Sequence, residues 1–257
     1  MRPNPVKATL ANGGCPVGTM VFEFFTPGMS AVCAAAGADF VVFDQEATGC
    51  SIEKVATLMA TARGLDIVGL VRVPSGLPHL LARPLDVGAS GLMVPMVESA
   101  AQAAAIVDAT KYPPWGNRGV ISGLANDDFA GGADVAAGMH SANAETLLIA
   151  QIESAAGVER VEQIAAVPGV DVLWIGHLDL TVSLGIPGRY DHPDFTAAVA
   201  RVLAAAHAAG KAAAVKVGSV DEGRRRMADG FRCICYGDDV RLLRDGLGSA
   251  VAALRQA

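Results

Sequence analysis

Two short apolar runs in this chain each lead into a carboxylate. Leu147-Leu148-Ile149-Ala150-Gln151-Ile152 runs into Glu153, and Val172-Leu173-Trp174-Ile175-Gly176 runs through His177-Leu178 into Asp179. Two more acids follow another apolar run as Asp44-Gln45-Glu46, and Arg72 closes a fourth. Glu153 and Asp179, with no His-x-x-His or cysteine pattern nearby, are hard oxygen donors. They suit Mg2+ or Mn2+, with Co2+ as a further option, rather than structural zinc. Mg2+ commonly takes one or two carboxylates and leaves positions that the carboxylate and keto oxygens of a 2-oxo acid could fill. A metal there is a Lewis acid for the enolate formed when a carbon–carbon bond beside the carbonyl is made or broken. Arg72, planar and permanently charged, could donate to the same oxyanion. Backbone N–H groups around Gly176, His177, Leu178 and Asp179, at a strand-to-helix turn, could receive the substrate carboxylate. His177 reads as a loop residue and a secondary candidate for acid–base work.

Each of these side chains also has a plain structural use: Asp44 could cap a helix, Glu46 could be a solvated loop charge, and Arg72 could brace the fold through an ion pair. Their convergence favours a site, because four acids gathered in one cleft must be compensated by a cation, a proton or an arginine.

The elements that must position them can be read from periodicity. Nearly continuous apolar runs of strand length recur at Val17 to Phe24, Phe40 to Asp44, Ile67 to Arg72, Gly91 to Val94, Leu147 to Ile152, Val172 to Gly176, Ala212 to Val217 and Cys233 to Tyr236. Such runs suit strands buried on both faces of a parallel sheet. Ala-rich helical segments lie between them: Met29 to Ala36, Ile52 to Arg63, Leu77 to Val87, Ser99 to Lys111, Ala155 to Ala165, Pro193 to Ala209, Val220 to Ala228 and Val240 to Leu254. Eight strands alternating with eight helices predict a (β/α)8 TIM barrel formed as one domain over residues 1–257. An open doubly wound sheet is the competing architecture, but no strand is followed by a G-x-G-x-x-G turn. In a barrel, ligands bind where strands end, and the carboxylates and Arg72 stand at strand ends. The Gly-, Asn- and Asp-rich stretch 112–145 is out of proportion as a connection; it could be a surface excursion, but the preferred reading is a lid over the barrel mouth that contributes Arg118 or another polar group to the site.

At 257 residues and 52% hydrophobic, the chain can bury one large core. A net charge of -6 argues against a nucleic-acid footprint or a polybasic membrane surface. No apolar run approaches the ~18 residues that cross a bilayer, and the N-terminal stretch has no signal-peptide pattern, so a cytoplasmic location is expected. The five cysteines are unpatterned and read as reduced, mostly buried thiols.

The same residues carry a family resemblance. Ala36-Gly37-Ala38-Asp39-Phe40 leading into Phe43-Asp44-Gln45-Glu46, Val71-Arg72-Val73-Pro74, Leu85-Asp86-Val87-Gly88-Ala89, Met93-Val94-Pro95-Met96-Val97, Lys111-Tyr112-Pro113-Pro114, Arg118-Gly119, Gln151-Ile152-Glu153 and Gly176-His177-Leu178-Asp179-Leu180 form an ordered set along nearly the whole chain. The sequence resembles the HpcH/HpaI aldolases, metal-dependent (class II) pyruvate aldolases. The resemblance implies that Glu153 and Asp179 are metal ligands, that Arg72 stabilises the oxyanion, and that Gln151 contacts substrate or braces a ligand. It also implies a small 2-oxo acid and an aldehyde as substrates. A homo-oligomer is implied too, a hexamer or trimer of dimers in which the C-terminal helix packs on a neighbour.

One position departs from the pattern. After the second strand the family reads Asp-x-Glu-His, the histidine pairing with the aspartate to move a proton, whereas this chain reads Asp44-Gln45-Glu46-Ala47. Alanine has no ionisable group, so the step loses its usual carrier. An introduced inactivating substitution, an enzyme that uses another group or water, and a homologue that binds without turnover all fit the sequence. The leading expectation is a carbon–carbon lyase of the pyruvate-enolate type. Oxaloacetate decarboxylation or related enolate chemistry, and non-catalytic binding of a metal and keto acid, are the alternatives.

Overall fold

In the computed structural model, which describes residues 2–132 and 134–256, eight parallel strands close into a barrel in sequence order. They are β1 (Val17–Val21), β2 (Phe40–Asp44), β3 (Val68–Arg72), β4 (Gly91–Val94), β5 (Leu147–Ile152), β6 (Val172–Ile175), β7 (Ala212–Val217) and β8 (Cys233–Asp238). Around and below them lie α1 (Pro5–Ala11), α2 (Met29–Ala35), α3 (Ile52–Ala62), α4 (Pro78–Asp86), α5 (Ala100–Thr110), α6 (Val135–Glu145), α7 (Ala155–Glu159), α8 (Val161–Ala165), α9 (His177–Ser183), α10 (Pro193–Ala208), α11 (Val220–Asp229) and α12 (Asp239–Arg255). The fold is the (β/α)8 barrel that the alternation of strands and helices predicts.

Side-chain alternation along each strand divides the core in two. Val41, Phe43, Val71, Leu148, Leu173 and Val215 face outward into the layer shared with the helices. Phe40, Val42, Leu70, Met93, Ile149, Trp174, Ala214 and Cys235 fill the barrel interior. Continuing the inward set toward the strand ends brings Asp44, Arg72, Gln151 and Lys216 to one mouth, because each lies two residues beyond an interior residue of its own strand.

The opposite end is plugged by α1, whose Val6 is 1% exposed and joins the interior cluster. Asn4 caps this helix through a hydrogen bond from Lys7 N, and donates to the carbonyls of Ser90 and Glu145. The 112–145 segment also lies at this end, so the lid expectation is corrected. It follows α5, which has already carried the chain back from the mouth, and its connection to β5 must therefore run beneath the barrel. Arg118 does not reach the site. It donates to Asp86 Oδ1 at 2.6 Å, at the end of α4, and stacks over Tyr112. Much of the segment is α6, an Ala- and Gly-bearing helix with no amphipathic stripe to reveal it in sequence. Ala133, within the segment, lies outside the described residues.

Lys111 is buried here, with Nζ donating to the carbonyls of Asn143 and Thr146, each at 2.8 Å. Lys7 approaches the same Thr146 carbonyl and pairs with Asp171. Burial, with the neighbouring Lys7 charge, pushes the Lys111 ammonium down from 10.5 to about 7. The unfolded chain keeps this proton across that window while the folded chain has released it, so Lys111 makes stability rise with pH between those values. Urea-denaturation midpoints near both ends of the window should therefore rise less in Lys111→Met than in the parent. Equal slopes would show that Lys111 stays charged in the folded state.

Candidate active site

The register of β2 on β3 places Asp44 beside Arg72. Asp44 is fully buried and its carboxylate accepts three hydrogen bonds. Oδ1 accepts from Arg72 Nε at 2.6 Å and from Glu46 N at 3.0 Å, and Oδ2 accepts from Ala47 N at 3.0 Å. Thr48 Oγ1 donates to the Asp44 carbonyl, which closes the turn. Asp44 therefore organises the loop bearing Glu46 and Ala47 rather than capping a helix; α3 is capped by Ser51. Arg72 Nη1 lies 2.8 Å from Glu46 Oε2, so a single guanidinium serves both acids. Burial raises the Glu46 carboxyl to about 7; Arg72 opposes the rise, and the Glu153, Asp44 and Asp179 charges add to it.

Glu153, 2% exposed, follows the end of β5. Its Oε1 accepts from Met96 N at 2.7 Å and its Oε2 from Gln151 Nε2. Met96 adopts a φ of 52°, a left-handed conformation that non-glycine residues seldom take, with its N–H donated to the carboxylate. Burial raises the Glu153 carboxyl despite these two donors, and the nearby Asp179 charge raises it further.

A cavity of about 510 Å³ opens at this mouth, lined by Glu46, Ala47, Arg72, Gln151, Gly176, His177, Leu178, Asp179 and Lys216 together with Phe22 and Trp174. The structure thus gathers the residues singled out from the sequence except Arg118, which lies at the opposite end, and Asp44 and Glu153. Those two stand behind the wall and act on it through Arg72 and Gln151. His177 is not a loop residue but the first residue of α9, because Gly176 already accepts the helix's first hydrogen bond from Leu180 N. Its ring packs edge-on against Tyr190 at 5.4 Å, and burial, with the Lys216 charge, lowers its pKa.

Lys216 and Phe22 were not singled out from the sequence. Lys216 pairs with Asp238 at 2.6 Å, and its Nζ lies 4.8 Å from the centroid of the Phe22 ring, which Arg72 approaches at 5.5 Å. The signal for Lys216 was present: it is the one charge in the run Ala212 to Val217, in phase with inward Ala212 and Ala214. Met96 acts through its backbone, which sequence does not announce.

The donor set fits a divalent cation. It comprises two carboxylates, Glu153 and Asp179, the Asp179 charge adding to the rise that burial gives Glu153, and beside them lies Gln151 Oε1, buried without a hydrogen-bond partner. No group of three or more His, Cys, Asp or Glu side chains stands ready for a metal among the described residues.

Comparison with known proteins agrees with this architecture. The model of the HpcH/HpaI aldolase/citrate lyase family matches residues 19–245, and the chain belongs to that family. It is 36% identical to a hydroxypyruvate/pyruvate aldolase of Chromohalobacter salexigens, over 97% of this chain and 96% of the relative. A 4-hydroxy-2-oxovalerate aldolase of Rhodococcus jostii is 34% identical over 98% and 96%. Among solved structures, an HpcH/HpaI aldolase from Desulfitobacterium hafniense superposes with a TM-score of 0.92 at 30% identity, covering 98% of this chain and 96% of that one. No helix among the described residues is long and apolar enough to cross a membrane.

Gly176 is required by space. Its φ of -84° is open to any residue, but an added Cβ would collide with the Glu153 carboxylate and come within 2.9 Å of Gln151 Nε2. Gly176→Ala is expected to cost about 1–3 kcal/mol, as overpacking does, read as a lowered urea midpoint. An unchanged midpoint would mean that Glu153 and Gln151 are free to move aside.

Proposed function

We propose that this protein is a divalent-metal-dependent carbon–carbon lyase that makes or breaks a bond to the enolate of pyruvate or a similar small 2-oxo acid. The observation that carries the reading is the single cavity where Arg72, Gln151, Asp179 and the start of α9 meet, with Glu153 held just behind. Glu153 and Asp179 would hold the cation, with Mg2+, Mn2+ or Co2+ as candidates. When bound, it would supply Lewis acidity toward the substrate's keto oxygen. Arg72, fixed by Asp44 and Glu46, offers its charge where negative charge builds on that oxygen. The first N–H groups of a helix have no acceptor within it, so those of His177, Leu178 and Asp179 would receive the substrate carboxylate. Gln151 orients Glu153 through its amide N–H and keeps Oε1 for an incoming donor. The apolar walls of Phe22 and Trp174 exclude water from the reacting carbon.

Ala47 favours a second reading. Decarboxylation of oxaloacetate releases carbon dioxide and leaves the same enolate without any hydroxyl proton to remove, so it demands less of position 47. Product analysis after incubation with oxaloacetate, and separately with 4-hydroxy-2-oxo acids, distinguishes the two. Pyruvate binding with no turnover of either would favour a binding protein.

Mn2+ binding tests the metal assignment. Glu153→Ala and Asp179→Ala should each abolish or greatly weaken binding seen by calorimetry. Parent-like affinity in either variant would remove that residue from the ligand set.

A homo-oligomer is part of the same proposal. From Val240 onward α12 is largely exposed, including Leu243 at 57% and Leu247 at 61%. The place on the barrel between α2 and α11 is an apolar cavity of about 730 Å³ over β1 and β8. The apolar lining of that cavity, to which Leu242 and Leu243 of this chain's own α12 contribute, matches the exposed leucines of a second copy's α12 in chemistry. Leu243→Asp combined with Leu247→Asp should convert an oligomer to monomer in light scattering after size exclusion. A monomeric parent, or an unaffected variant, would refute the exchange.

A further inference from the structure

The cavity wall holds a methyl group at position 47, so proton transfer in this chain must fall to another group. Asp44 cannot serve, because its oxygens already accept from Arg72 and two backbone N–H groups and do not face the cavity. Glu153 is likewise engaged at both oxygens. Lys216 is held by Asp238, and His177 turns its ring against Tyr190 on the β6–β7 side. Glu46 remains. It is the neighbour of Ala47 in the wall, and its backbone is pinned by the Asp44 turn. One oxygen, Oε2, is buried against Arg72 Nη1 at 2.8 Å as an ion pair and has no further hydrogen-bond partner. A carboxyl that lines the cavity next to Ala47, paired with the cation that would face the substrate's oxyanion, is positioned to take a proton from a bound substrate.

We propose that Glu46 is the proton carrier of this chain, occupying in function the place that Ala47 leaves vacant. The proposal rests on the enolate reading above. In cleavage of a 4-hydroxy-2-oxo acid, the Glu46 carboxylate takes the C4 hydroxyl proton, and the O–H electron pair becomes the second bond of the aldehyde. The C3–C4 pair passes into the enolate, whose oxygen lies toward Arg72, and the Glu46 acid then returns its proton to C3 to give pyruvate. The groups facing Glu46 are Arg72 from β3, Asp44 from its own loop, Glu153 beyond β5 and Asp179 on α9; burial is the main cause that raises its proton affinity above that of an ordinary glutamate, Arg72 limits the rise, and the three acids add to it. A base of moderately raised affinity is effective near neutral pH.

The test is exchange of pyruvate methyl protons with solvent deuterium, in the presence of Mn2+, for the parent, Glu46→Gln, Ala47→His and the double variant. Melting temperatures and pyruvate binding are measured alongside. Glu46→Gln should slow exchange by at least ~10²-fold, the lower range for a positioned base, and should abolish the fall in rate toward acid pH. Adding Ala47→His to Glu46→Gln should restore exchange, with a new acid limb set by the imidazole; a purely structural Glu46 would not be rescued in this way. If the glutamine variant loses its fold, Glu46→Asp, which keeps the acid but withdraws it by one carbon, should fold and exchange more slowly than the parent. Exchange by Glu46→Gln as fast as the parent overturns the proposal, as does a silent parent that Ala47→His awakens. Silence in all four proteins, with pyruvate bound, sinks the enolate reading itself and the role of Glu46 with it.

Discussion

Arg72 carries the charge on which the mouth of this barrel depends. Strand register alone sets it beside Asp44, and at that depth an unpaired carboxylate would cost several kcal/mol. The pairing allows Asp44 to spend its remaining acceptor capacity on the N–H groups of Glu46 and Ala47, which fixes a loop that has no secondary structure of its own. One cation thus shapes the backbone on one side and faces the cavity on the other. Lysine would keep the charge but lose the fork that reaches two acids at once.

The remaining acids are held under tension. Glu46 and Glu153 both bind their protons more tightly than free glutamate does, and burial is the main cause in each. A carboxyl with a raised folded-state pKa stabilises the fold most when protonated and loses that contribution as pH rises through the folded value. At neutral pH these two carboxyls therefore make the mouth less stable than the barrel around it, and compensating charge has something to relieve. Sites that trade local stability for chemistry in this way are common among enzymes.

Most of the barrel was legible because strands buried on both faces leave unmistakable apolar runs, and because acids at their ends have few other reasons to be there. All eight strands fall where the runs place them, with ends moved by a few residues: β1 stops at Val21 rather than Phe24, and β8 continues to Asp238. What escaped were elements without an apolar stripe. α6 is rich in Ala with polar residues scattered round it, α9 spans only two turns, and α1 offers little beyond Val6 to mark it as a plug. Arg118 was misplaced because a connection's length says nothing about which end of the barrel it occupies; that follows only from counting which way α5 runs. At the site, Lys216 could have been found by inward phase, whereas the Met96 N–H could not, since any residue supplies one.

The plug at the base has a different kind of consequence. Val6, Asn4, Lys111 and the Arg118–Asp86 pair all act at the end of the barrel away from the cavity, with the packed interior from Phe40 to Trp174 between them and the mouth. Substitutions separated by that much core, and sharing no partners, combine almost independently. The lineage of such a chain can therefore revise its foundations and its chemistry on separate schedules: a change at the mouth, at position 47 for example, leaves the base untouched, and gains in robustness below can accumulate without disturbing whatever the mouth comes to bind.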